Sequence, residues 1–129
     1  MFNPNVQQRF GLYLEIFLYK IGNVLRKIFE DESWLIQKLL DVADIPHHLK
    51  YKKKENKDNM IKIYKEQLDK INTGFDGREI SMPLNFKMRV SGLISNKCKV
   101  MKSKKKPMWL VFENAVIDLI YINLVIIMD

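Results

Sequence analysis

A chain of 129 residues has room for one small domain at most. Its 47% hydrophobic and 11% aromatic content is enough for a packed core and argues against disorder along most of its length. A net charge of +7 favours an anionic partner (nucleotide, phospholipid surface or nucleic acid) without choosing among them. The single cysteine, Cys98, rules out an internal disulfide and fits a reducing compartment. The opening MFNPNVQQRF has no apolar signal core, so secretion is not expected. His47 and His48 are adjacent and Cys98 lies far away, which gives no metal-ligand spacing.

In chain order, Asn3 and Pro4 begin a helix, proline being tolerated in the first turn. Phe10, Leu14, Phe17, Leu18, Ile21, Val24, Leu25 and Ile28 recur at three- and four-residue steps, predicting one amphipathic helix to about Phe29 with Gly22 as its weak point. Asp31-Glu32-Ser33 can cap a second helix, with Trp34, Leu35, Leu39 and Val42 on its buried stripe and Pro46 near its end. The stretch KYKKKENKD at 50–58 has no apolar period and reads as an exposed connector. A third helix carries Met60, Ile63, Tyr64, Leu68 and Ile71 on one face and is closed by Asn72 and Gly74.

After Gly77 the texture changes. Met88, Val90, Leu93, Cys98, Val100 and Leu110–Phe112 sit in short apolar runs broken by Ser-Gly, Ser-Asn and Lys-Pro, which is strand and turn grammar. The tail AVIDLIYINLVIIM falls short of the ~20 apolar residues of a membrane-spanning helix and reads as a buried strand. The fold class expected is α+β, N-terminal helices followed by a short antiparallel β-meander.

The feature that stands out is KCKVMKSKKKPMWLVFEN at 97–114, in which six of the first ten residues are lysine and none is acidic. A phosphate cradle needs ammonium or backbone N–H groups converging on one point, held by a rigid flank. Strands on either side of Lys102–Lys106 would supply the flank, Pro107 the exit, Ser103 a hydroxyl donor, and Trp109 a wall for an adenine ring. The competing reading is a solvated lysine turn with Trp109 in the core, and no Gly-x-x-x-x-Gly-Lys motif decides between them. Contact with anionic lipid, at ~1 kcal/mol per lysine near a charged surface, is a further reading of both basic runs. Nucleic-acid binding is the weakest, because the aromatics fall at core spacing and form no stacking platform.

These residues resemble the phosphatidylinositol 3-kinase catalytic subunits. The 97–114 stretch is similar to the family's phosphate-loop hairpin, in which Cys-x-x-Met ends a strand, a Ser/Lys-rich turn follows, and Lys/Arg-Pro-Leu-Trp-Leu begins the next strand. QQRFGLYLEIFLYKIG at 7–22 resembles the segment that closes the family's helical domain. MPLNF at 82–86 and VSGLISNKC at 90–98 resemble the turn and first strand of its kinase domain. The resemblance covers roughly residues 6–114, and the tryptophan in Lys-Pro-Met-Trp-Leu looks like class I.

It implies the end of a helical domain at 1–22, a helical lead-in at 23–80 and a partial protein-kinase-like N-lobe at 81–129. By resemblance, Met101 lines one wall of an ATP pocket, and Lys102 and Ser103 form the turn above the phosphates. Lys105 reaches toward the triphosphate, Pro107 shapes the turn and Trp109 forms the outer wall near adenine. Lys102 departs from the family, which more often has a small polar residue there.

Phosphoryl transfer also needs a phosphate-binding lysine, metal-binding carboxylates and a base. In the family these lie in Lys-x-Gly-Asp-Asp-Leu-Arg-Gln after the hairpin, then Asp-Arg-His and Asp-Phe-Gly. None of these motifs occurs in the 129 residues, and from Ala115 onward the chain departs from the family, ending on LIYINLVIIMD. The expectation is a truncated piece, through a shifted frame or early stop, with no catalytic or metal-binding residue of its own and inactive alone. ATP and Mg²⁺ serve the intact family, and this chain is not expected to hold them tightly. The intact family works in the cytoplasm, peripheral to phosphoinositide membranes and with a regulatory subunit. For this piece no nucleic-acid partner is expected, and exposed apolar surface would favour self-association. The alternative is a small non-catalytic basic module that binds anionic lipid or a protein partner.

Overall fold

The computed structural model describes residues 3–48, 56–83, 85–101, 103–115 and 121–126. Three helices, α1 (Pro4–Lys20), α2 (Asn23–His48) and α3 (Asn56–Phe75), precede five strands. The strands are β1 (Ile80–Met82), β2 (Asn85–Leu93), β3 (Lys99–Val100), β4 (Met108–Asn114) and β5 (Tyr121–Ile126). All pairings are antiparallel, so the fold is α+β with the helices first, as the pattern predicts. Contacts divide the chain into two units, residues 1–31 and 32–129. Among the described residues no helix is long and apolar enough to cross a membrane.

In the first unit, α1 starts where Asn3 and Pro4 suggest. The Asn3 side chain accepts the Asn5 N–H at 3.1 Å, and Pro4 takes a position whose N–H needs no helical partner. The single helix expected to Phe29 is instead broken at Gly22, whose φ of 81° lies in the left-handed region open to glycine. α2 then runs straight through Asp31-Glu32-Ser33, expected above as a cap. The reason is local: Lys27 holds Asp31 at 2.9 Å and Arg26 holds Glu30 at 3.0 Å, both i,i+4 pairs that support a continuing helix. Phe10, Tyr13 and Tyr19 are 70%, 67% and 83% exposed, and α1 buries no residue. Phe17 and Phe29 meet edge to face at 5.9 Å.

The second unit has the core. Leu35, Leu39, Val42 and Ala43 of α2 and Met60, Tyr64, Leu68, Ile71 and Phe75 of α3 are buried there, with Ile80, Val90, Leu93, Met108, Leu110 and Phe112 from the strands. Met108, Leu110 and Phe112 stand two apart on β4, one face of a pleated strand. The helix end expected at Asn72 falls three residues later, because Asn72 has a different task. Its side chain accepts the Leu93 N–H at 2.6 Å and donates to the Leu93 carbonyl at 2.7 Å, satisfying both backbone groups of a buried strand residue. Trp34 fixes α2 to the end of α3. It meets Phe75 edge to face at 5.7 Å, the Arg78 guanidinium sits 4.6 Å from its ring centre, and Arg78 Nε donates to the Phe75 carbonyl at 3.0 Å.

β4 organises the sheet. On one edge β2 pairs with its far end (Leu93 opposite Phe112) and β3 with its start (Lys99 opposite Trp109). β5 pairs along the other edge, from Met108 opposite Ile126 to Glu113 opposite Tyr121. The apolar tail is thus a strand over 121–126, as its length predicts.

Candidate functional site

The lysine-rich run is a β-hairpin. β3 and β4 pair, and the turn between them is closed by the Met101 N–H donating to the Pro107 carbonyl at 2.8 Å. Within the turn the Ser103 N–H donates to the Met101 carbonyl at 3.0 Å, and the Lys106 N–H donates to the Ser103 carbonyl at 3.1 Å. The turn reverses tightly enough to put Lys106 at φ 48°, a left-handed conformation uncommon for a side chain of this kind. Pro107 follows, buried, and delivers Met108 into the core.

Cys98 anchors the base of the hairpin. Between β2 and β3 the chain leaves β4, turning through Lys97 N–H to the Ile94 carbonyl at 2.9 Å. This detour would strand the Val111 N–H. The Cys98 sulfur accepts it at 3.3 Å and donates to the Ile94 carbonyl at the same distance, while the Ile94 N–H donates to the Val111 carbonyl at 2.8 Å. Burial pushes the Cys98 thiol above its ordinary range, and the Val111 hydrogen bond pulls partly back. A half-buried thiol held in its neutral form is a structural plug and a poor nucleophile.

The residues singled out in the sequence are distributed as follows. Ser103 and Lys105 are exposed at the turn, and Pro107 is buried beneath it. Lys102 lies outside the described residues. Trp109 is half-buried, with the Lys99 ammonium 5.9 Å from its ring centre, at the reach of a cation–π contact. Met101, 39% exposed, lies at a cavity of about 250 Å³ between α3 and the hairpin. Met60, Tyr64 and Leu68 form one wall of this cavity and Val100, Met108 and Leu110 the other. Trp109 is not among its lining, since it alternates with Met108 and Leu110 on the pleat. The cavity and the tryptophan therefore occupy different faces of the hairpin.

Sequence reasoning placed the turn but missed its supports. Asn72 read as a turn residue, and nothing in the spacing joined Cys98 to Val111 or faced α3 toward the hairpin. The one available signal was periodicity, which does put Met60, Tyr64 and Leu68 on a single helical face. The turn exposes Ser103, Lys104 and Lys105, while the N–H groups of Met101, Ser103 and Lys106 are taken up by carbonyls within it. Among the described residues no three His, Cys, Asp or Glu side chains gather to hold a metal ion.

No family model matches the chain. Its sequence is 32% identical over 114 residues to phosphatidylinositol 3-kinase 2 of Dictyostelium discoideum, a match that takes in 88% of this chain and 6% of that protein. The chain carries a region related to phosphatidylinositol 3-kinase and spans a small part of the relative's length.

Proposed function

We propose that residues 97–114 are the phosphate-loop hairpin of a class I-like phosphatidylinositol 3-kinase. On this reading the chain comprises the end of a helical domain at 1–22, a lead-in at 23–80 and part of the kinase N-lobe at 81–129. The intact enzyme would transfer the ATP γ-phosphate to the 3-hydroxyl of a phosphoinositide, working from the cytoplasm at a membrane surface with a regulatory subunit. The observation that carries the reading is the Met101–Pro107 turn, closed between strands and presenting Ser103 and Lys105 to solvent, in a region related to such a kinase.

The chemistry divides between what these residues can and cannot do. Ammonium groups at the turn would neutralise phosphate charge, and three backbone hydrogen bonds fix the main chain from which those lysines extend. In-line phosphoryl transfer further requires metal-bound phosphates and a positioned base. The Asp-Arg-His and Asp-Phe-Gly motifs that provide them in the family do not occur in these 129 residues, and no lysine follows Lys106. β5 stands beside β4, where the family places its ATP lysine, and reads Tyr-Ile-Asn-Leu-Val-Ile.

The chain by itself is accordingly a weak triphosphate binder that does not turn over. Incubating it with Mg-ATP and phosphatidylinositol should yield no 3-phosphorylated lipid above background. Sustained turnover that scales with the concentration of the chain would refute this.

A further inference from the structure

The phosphate-loop reading leaves the cavity between α3 and the hairpin unassigned. Its walls are apolar, yet among the described residues its lining includes Lys65 and Lys106 and no acidic residue, while Lys99, also in the lining, carries its ammonium to the Trp109 ring. Ile61 and Met101, also in the lining, are 55% and 39% exposed, so large apolar side chains stand at a mouth open to solvent. A helix and a sheet that packed fully would close over such residues.

We infer that this cavity binds the anion of a single-chain fatty acid, its alkyl chain between α3 and β3–β4 and its carboxylate at Lys65. Three observations select this class. The volume of about 250 Å³ exceeds the ~150 Å³ that accepts a benzene ring and falls short of the ~300–1,000 Å³ of drug-sized sites. One medium-length chain fits there, and a two-chain lipid does not. The inner walls, Met60, Leu68, Met108 and Leu110 among them, are flexible or branched hydrocarbon that adapts to an alkyl chain. Among the described residues the charge in the lining is entirely positive, which favours a carboxylate over a neutral alcohol of equal length. Trp109 is outside the lining, and Lys65 on α3 is outside the turn, so the test at Lys65 does not depend on the turn binding triphosphate.

The test is titration of the full chain with decanoate and with decanol, each below its aggregation limit, followed by amide chemical shifts. Decanoate should bind saturably, one per chain, shifting residues around Leu68, Val100 and Met108, and should bind more tightly than decanol. Lys65→Glu, at an exposed position, should weaken decanoate roughly fivefold or more and leave decanol unchanged. Val100→Phe, which fills the cavity, should abolish both. If Val100→Phe does not fold, Lys65→Glu still decides. The inference is overturned if neither ligand saturates, if decanol matches decanoate, if Lys65→Glu changes nothing, or if the shifts fall on α1 instead.

Discussion

Replacing Asn72 with alanine probes how the helical layer positions the hairpin. Asn72 makes two hydrogen bonds to Leu93, at 2.6 and 2.7 Å, and Leu93 is 4% exposed. Truncation leaves a buried N–H and a buried carbonyl unpaired, at ~1–3 kcal/mol each. Water entering the vacated space recovers part of that, so the expected loss is about 2–4 kcal/mol. Asn72→Asp is the sharper variant. It keeps an acceptor for the Leu93 N–H but sets a carboxylate oxygen against the Leu93 carbonyl, so it should cost at least as much as alanine despite its near-identical shape. Leu93 leads directly into the Cys98 detour, so hydrogen exchange should quicken at Leu93 first and then at β3. The assay is urea unfolding of both variants, read by circular dichroism with amide exchange alongside. A loss below about 0.5 kcal/mol for alanine, or an aspartate variant as stable as the parent, would refute the clamp.

Other consequences can be measured independently. A Cβ at residue 74 would overlap the Trp34 ring, so Gly74→Ala should destabilise by about 1–2 kcal/mol, overpacking outweighing the ~1 kcal/mol that alanine gains in a helix. In a Trp34→Leu background the same change should become neutral or stabilising, and a double-mutant cycle reads the coupling. Because the folded state raises the Cys98 thiol, the native chain binds that proton more tightly than the unfolded chain does. Its contribution to stability is therefore full below the ordinary thiol range and is lost as pH rises from that range through the raised folded value, a slope that Cys98→Ser should remove. Iodoacetamide should accordingly modify the native chain at pH 8 more slowly than the urea-unfolded one.

The element types were legible because they depend on local pattern. The three-and-four spacing of Leu35, Leu39 and Val42 and of Met60, Tyr64, Leu68 and Ile71 named the buried faces of α2 and α3. The Lys-Pro step and the apolar runs around it located the hairpin. What depended on side chains meeting across the fold was not legible. Asp31 looks like a cap until Lys27 claims it, and Asn72 looks like a helix stop until Leu93 is found beside it. The periodic face of α1 reads as helical, but periodicity carries no information on whether its residues are covered, and none of them is buried.

The site divides along the same line. A basic turn between strands follows from composition and punctuation. The separation of Met101 at the α3 cavity from Trp109 on the other face follows from pleat and register, which only coordinates fix.

The central claim is that the 101–107 turn receives a triphosphate. The most direct measurement follows the backbone amides of Ser103–Lys106 by nuclear magnetic resonance during titration with ATP, inorganic tripolyphosphate and adenosine, in the parent chain and in Lys104→Glu/Lys105→Glu. The account predicts weak, saturable shifts at these amides with ATP and tripolyphosphate, none with adenosine, and their loss in the charge-reversed chain. Amides unmoved by either phosphate, or moved equally in the charge-reversed chain, would contradict it.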